Sequence, residues 1–275
     1  GGCTGEGWVV IALLAARRSA GRVGAVVGRN IGAMRSGPSY LLVLLSGLVE
    51  PLLYLLSIGV GVGALIGTME LDDGSRVPYA VFVAPGMLAV SAMSGALAET
   101  TYNFFYKLKY ARTFEAVLAT PVEPVELVLG ELTWAMVRGA MYCGIFLAVM
   151  VALDLASVPG ALLAFPVTML VGLAFGAAGA AASTWMRGWE DFDLVSTGQI
   201  ALFLFSGTFS PVRDYPAVME VLVGLTPLYH AVELLRGVAL ERLEWDLLVS
   251  VAYLVAMTAG GLWVAARRLR GLMCP

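Results

Sequence analysis

Apolar residues run in long blocks along this chain, with polar residues gathered at the block ends. A hydrocarbon core of about 30 Å is crossed by about 20 apolar residues in a helix. Six blocks meet that length: 40–66, 79–101, 132–153, 161–185, 194–209 and 247–264. The first is broken by Glu50-Pro51, and the fifth stands at the short end. No stretch alternates strictly enough for a β-barrel, so the pattern predicts an all-α fold with six transmembrane helices. Before the first block, residues 11–34 place Arg18, Arg22 and Arg29 on one helical face with apolar residues between. That spacing predicts an amphipathic helix on the inner leaflet; a solvated arm is the plainer alternative. The chain divides into a cytoplasmic N-terminal segment, 1–39, and one transmembrane domain, 40–275.

Basic residues set the expected orientation. Arg17, Arg18, Arg22, Arg29 and Arg35 precede the first block, Lys107, Lys109 and Arg112 follow the second, Arg187 follows the fourth, and Arg267, Arg268 and Arg270 follow the sixth. The opposite side carries Arg76, Arg213, Arg236 and Arg242. Twelve against four places both termini in the cytoplasm by the positive-inside rule. The early apolar run 8–16 precedes its arginines, the reverse of a signal peptide.

Composition removes whole classes of function. Of 275 residues 59% are hydrophobic and 13% charged, against about 45–50% and about 25% in soluble domains. Too little polar surface remains to cover a fold in water, so soluble enzymes and disordered proteins are excluded. Net charge −3 offers nothing for nucleic acid. Cys3, Cys143 and Cys274 form neither a disulfide framework nor a zinc motif. A single histidine, His230, makes neither a multi-histidine metal site nor a histidine relay. Arginine outnumbers lysine fifteen to two, a bias of GC-rich bacterial coding, and Gly1 in place of Met suggests a trimmed start. With only Lys107 and Lys109 there is no P-loop, so ATP chemistry would belong to another subunit. Gly59, Gly61, Gly63 and Gly67, like Gly172 and Gly176, fit close helix packing better than phosphate binding.

Three places carry candidate chemistry. In the loop 102–130, residues 110–120 read as a short amphipathic helix stopped by Pro121, with Tyr110, Arg112, Thr113, Phe114 and Glu115 near Phe104, Phe105 and Tyr106. Aromatics beside arginine suit a protein interface and equally a membrane interface. Glu50 falls near the bilayer centre beside Pro51, with Arg138 as a candidate partner; the group is either part of a substrate path or gate, or a structural pair. Glu99, at the inner end of its block, is expected to reach water. In the apolar outer loop 210–246, two short helices predict a re-entrant hairpin or interfacial cap. There Pro227 opens the second helix, His230, Glu233 and Arg236 share one side, and Ala231, Leu234, Leu235 and Val238 the other. His230 suits a capping or hydrogen-bonding role.

In order and spacing, these features resemble the membrane subunit (permease) of type 2 ABC exporters. The local matches are Glu50-Pro-Leu-Leu-Tyr-Leu-Leu56, Ala84-Pro-Gly86, Arg112-Thr-Phe-Glu-Ala-Val-Leu-Ala-Thr-Pro121 and Pro227-Leu-Tyr-His-Ala-Val-Glu-Leu-Leu-Arg236. They are similar to the branch that exports nodulation lipo-oligosaccharides and anthracycline-type drugs. The resemblance implies a plasma-membrane permease, not an enzyme, that pairs with a second permease copy or paralogue. Two copies of a separate P-loop ATPase would use ATP and Mg, with no cofactor on this chain. It also implies that the segment 110–120 is the coupling helix docked in the ATPase, and that an amphipathic substrate leaves between two permeases. Two other classes compete. An intramembrane transferase needs clustered acids, and Glu190-Asp191-Asp193 is the one close group in the inner loops. A secondary transporter would often show internal repeats, and the halves show none that convinces.

Overall fold

The computed structural model describes residues 6–35, 49, 53, 55–70, 74–242 and 245–273. Glu50 and Pro51, with most of the block 40–66, lie outside the described residues. Helix α1 is Glu6–Arg35. Helix α2 runs through π-type turns, Leu55–Val62, into Gly63–Ile66 and stops at Gly67, whose φ of +76° only glycine adopts without strain. A short antiparallel hairpin follows, β1 Thr68–Glu70 with β2 Arg76–Pro78, pairing Met69 with Val77. The all-helical expectation therefore needs one correction: this hairpin is held by backbone ladder bonds of a kind that hydropathy does not register.

The bundle proper comprises α3 Tyr79–Tyr110, α5 Pro124–Ala152, α6 Val158–Ser183 and α10 Leu247–Met273, with the short α4 Thr113–Leu118 between α3 and α5. Local sequence explains the boundaries. Glu123 and Glu126 form a reciprocal capping box at the start of α5, with Pro124 in the first turn. Ser157 caps α6, accepting from the Gly160 amide at 3.0 Å. Thr226 caps α9, Pro227–Ala239, in the same way. Helix α8, Ala217–Gly224, precedes α9 at a bend of 83°.

Among the described residues, four helices are long and apolar enough to cross a membrane, and the bent pair α8–α9 is a possible fifth. Helix α7, Asp191–Leu204, is the main departure from the predicted spans. Its 14 residues reach about 21 Å at 1.5 Å each, and the helix ends five residues early. There Gly207 takes φ +71° and the hydroxyls of Ser206 and Thr208 pair at 2.7 Å, turning the chain. No residue of α7 is buried.

Small residues set the helix spacing. A Cβ on Gly176 would stand 2.6 Å from Leu132 Cδ1, and one on Gly172 3.1 Å from Met136 Cε, so this pair gives α5 its close approach to α6. Gly61 differs, since a Cβ there meets nothing within 4 Å. A close backbone crossing joins α10 to α6, where a Cβ on Gly261 would lie 2.7 Å from the Ala177 carbonyl carbon. Backbone cannot yield as a flexible side chain does, so Gly261→Val is expected to prise α6 and α10 apart. Overpacking of this kind costs about 1–3 kcal/mol. Gly260→Ala, next door and open to space within 4 Å, should melt with the parent in a detergent-solubilised thermal scan. Equal melting of both variants would refute the crossing.

Candidate functional site

At the end of the bundle that gathers most basic residues, α3 does not stop where its apolar block stops. It runs on to Tyr110 because Phe104, Phe105 and Leu108 bury against the bundle and sustain the helix through π-type turns at Ala98–Asn103 and Tyr106–Tyr110. Arg112 then adopts left-handed backbone, φ +47°, which breaks the rod and starts α4. The predicted helix 110–120 is thus shortened to Thr113–Leu118, with Tyr110 belonging to α3 and Arg112 serving as the joint.

The side chains of α4 divide sharply. Phe114 is 0% exposed, its ring edge-on to Phe104 with centroids 4.7 Å apart, in a cluster with Val26, Leu127, Ala181 and Leu269. Arg112 and Glu115 are exposed, and Thr113 is half-buried. Phe114 is therefore an internal anchor, and a partner docking here meets the charged rim without touching this ring. Beside α4, Tyr102, Tyr106 and Tyr110 form an exposed stripe, and Tyr110 stacks on Trp189 at 5.2 Å. Phe105 and Phe192 close the same cluster, tying α3 to the start of α7.

The strongest electrostatic feature sets Arg22 and Arg29 against two carboxylates that the sequence pattern did not single out. Glu126 and Glu131 of α5 are both buried. Glu131 accepts from Arg29 at 2.5 Å on one oxygen and from Lys107 at 2.6 Å on the other. Arg29 and Lys107 also both donate to the side-chain oxygen of Asn30, Oδ1, at 3.1 and 3.0 Å. Glu126 meets Arg22 at 3.3 Å. Arg22 and Arg29 of α1 are thus turned toward carboxylates of α5. One carboxylate binds α1, the end of α3 and α5 together, immediately around α4. The legible signal was the spacing of Arg22 and Arg29, seven residues apart and so near one helical face; Glu126 and Glu131, five apart, stand about 140° apart round α5 and give no such signal.

Arg138 lies elsewhere. It pairs with Glu99 and donates to the Tyr142 hydroxyl at 3.1 Å, while Glu99 also accepts from Asn103 at 2.9 Å. Two expectations change: Glu99 is a paired, largely buried carboxylate, and Arg138 has a described partner other than Glu50. A carboxylate and a guanidinium this far buried are each costly alone, so they stabilise one another.

At the opposite end, the predicted side of α9 holds together only in part. Ala231, Leu234, Leu235 and Val238 are buried as expected. Arg236 joins them, bonded to Glu233 at 2.5 Å and to the Gly207 carbonyl at 2.8 Å, with its guanidinium 3.9 Å from the Phe82 ring centroid. His230 turns away, its Nδ1 3.0 Å from Ser250 Oγ and its ring stacked on Tyr253. Thr226, and not His230, caps the helix. Asp191 accepts from the Arg187 and Gly188 amides, which hold its carboxyl below the usual carboxylate range. It closes a turn, with no metal-binding group of three among the described residues.

Residues 22–240 match the family described as ABC-2 type transporter. Nodulation protein J of Sinorhizobium fredii (strain NBRC 101917 / NGR234) is 35% identical over 200 residues, covering 72% of this chain and 74% of its own. Nodulation protein J of Rhizobium meliloti (strain 1021) is 34% identical over 199 residues, with coverage of 72% and 74%. The inner membrane transport permease YadH of Escherichia coli (strain K12) is 25% identical over 234 residues, covering 82% and 89%.

Proposed function

Because this chain belongs to the ABC-2 type transporter family of membrane transport permeases, we propose that it is the permease of an exporter driven by a separate P-loop ATPase. ATP and Mg are used on that partner, in two copies, and this chain pairs with a second permease. The observation that carries the reading is the seat of α4. A short helix with an exposed Arg112–Glu115 rim is anchored through Phe114 and flanked directly by two rods, α3 and α5, that run the length of the bundle. Displacement of α4 by a closing ATPase has no slack loop in which to dissipate, so it passes to both rods. The unburied α7 suits contact with the second permease.

In this reading the chain is a multi-pass protein of the bacterial inner membrane with the α4 end and both termini cytoplasmic. Residues 1–39 form the cytoplasmic segment and 40–275 one transmembrane domain. The six spans are the four long helices, the block 40–66 ending in α2, and α7 with the chain just after it. The α8–α9 pair, with Pro227, His230, Glu233 and Arg236, is the outer re-entrant cap. Glu50 and Pro51, with the Arg138–Glu99 pair, belong to the path or gate of an amphipathic substrate.

Copurification tests the function. The affinity-tagged chain from its native membrane should retain a P-loop ATPase whose hydrolysis rises when the permease is present. Consistent absence of such a subunit would favour a secondary transporter or a membrane transferase. Orientation is tested separately with single cysteines placed in a variant lacking Cys3, Cys143 and Cys274. Position 218, 74% exposed on α8, should react with an impermeant thiol reagent in intact cells. Position 110 should react only after permeabilisation, and its labelling from outside would reverse the topology.

A further inference from the structure

Helix α8 separates two cavities of opposite chemistry. On one side a groove of about 650 Å³ lies between α7 and the α3–α6 pair, lined almost wholly by carbon from residues such as Leu97, Phe175, Leu202 and Phe205. On the other side a chamber of about 460 Å³ holds Arg213, Glu220, Tyr229, Glu233 and Arg236 around Phe82. Each volume falls in the range of small-molecule pockets, about 300–1,000 Å³. The wall between them is one helix thick. Met219, Leu222 and Val223 face the groove, whereas Glu220, Val221 and Gly224 face the chamber. At about 100° per residue these two sets occupy opposite faces of α8.

The two linings converge at the bent corner between α8 and α9. There Thr226 and Pro227 line the groove while Gly224 and Tyr229 line the chamber. A Cβ on Gly224 would meet no atom within 4 Å, so the corner is open. Charge in the chamber is balanced, with two arginines against two glutamates. A net anion or a net cation entering it gains attraction from one pair and equal repulsion from the other. Hydroxyl and amide groups face no such penalty, because arginine donors, carboxylate acceptors and a tyrosine hydroxyl are all within one enclosure.

We propose that the groove and the chamber are two halves of one binding site for an amphiphile with an electroneutral, hydrogen-bonding head. The apolar tail lies in the groove, the head enters the chamber, and the two parts join past Gly224. This assignment deepens the transport reading, on which it depends for its purpose but not for its test. A site inside one permease also differs from a path between two copies, since each chain would load its own molecule.

Binding is measured on the full chain in lipid nanodiscs with three probes sharing one tail: dodecyl maltoside, dodecyl phosphate and dodecyltrimethylammonium. Dodecyl maltoside should bind saturably and roughly tenfold more tightly than either charged probe, the scale of one screened charge interaction. Leu222→Trp fills the groove from a position 60% exposed, and Gly224→Leu plugs the open corner. Each should lower dodecyl maltoside binding at least tenfold while melting with the parent. Glu220→Lys takes the chamber from zero to plus two and should turn the preference toward dodecyl phosphate. Equal binding of the three probes to the parent overturns the proposal, as does unchanged dodecyl maltoside binding by Leu222→Trp and Gly224→Leu together. Saturable binding without any copurifying ATPase would leave this site standing and remove the exporter reading, and the converse result would do the opposite.

Discussion

Glu131→Ala is expected to release α1 from the bundle and to lower the unfolding midpoint by roughly 6–12 °C. Removing one member of a buried ion pair costs about 3–5 kcal/mol, because the remaining charge is left without its partner. Here two cations are left. Arg29 and Lys107 retain 30% and 21% side-chain exposure, so water screens part of the loss and sets it near the lower bound, about 3 kcal/mol. The sign of a second substitution makes the test specific. With Glu131→Gln the cluster holds two uncompensated cations, and adding Lys107→Gln removes their mutual repulsion. The double variant should therefore melt above Glu131→Gln alone, with amide exchange slowed again across residues 19–33. Additive destabilisation by the two changes would show that Lys107 and Glu131 act independently, contrary to their 2.6 Å pairing. Partner-stimulated hydrolysis should follow the melting order, since the same carboxylate braces both sides of α4.

Phe114→Ala should be at least as damaging. Truncating a buried phenylalanine costs about 3–5 kcal/mol through lost transfer energy and the cavity left behind. The ring is wholly enclosed against Phe104, so neither lipid nor a partner refills the space. Phe114→Leu retains most of the volume and should cost about 1–2 kcal/mol. The exposed rim should behave in the opposite manner. Glu115→Ala and Arg112→Asn leave melting within about 0.5 kcal/mol of the parent, as surface changes do, and asparagine tolerates the left-handed backbone that Arg112 adopts. These rim variants should lose the ATPase during detergent purification. The two classes are separated by one comparison, thermal stability against partner retention. Loss of retention without loss of stability in Phe114→Ala would return the ring to the docking surface.

Hydropathy located α3, α5, α6 and α10 because lipid demands uninterrupted apolar length, a constraint that acts within each segment. What it could not locate depends on contacts between segments. The sequence Tyr102-Asn-Phe-Phe-Tyr-Lys-Leu-Lys-Tyr110 reads as a loop by polarity, yet Phe104, Phe105 and Leu108 find core partners and continue α3. Glu99 and Arg138 are 39 residues apart, and no local spacing announces their pairing. Phe114 stands out in the sequence as an interface aromatic beside Arg112, but composition does not tell which side of an aromatic residue is already covered. The early end of α7 follows from Ser206-Gly207-Thr208, a turn signal hidden inside an apolar run.

The crossing of Gly261 on Ala177 also constrains how the chain is made. Ala177 precedes Gly261 by 84 residues, which a ribosome adds in roughly 4–17 s at about 5–20 residues per second. Throughout that interval the alanine-rich flank of α6 sits in the bilayer without the helix that will cover it. Lipid chains fill the flank poorly, because a flat strip of methyl groups offers them no ridges to grip. The flank is covered only when Gly261 of α10 arrives, so the close packing of α6 is completed last.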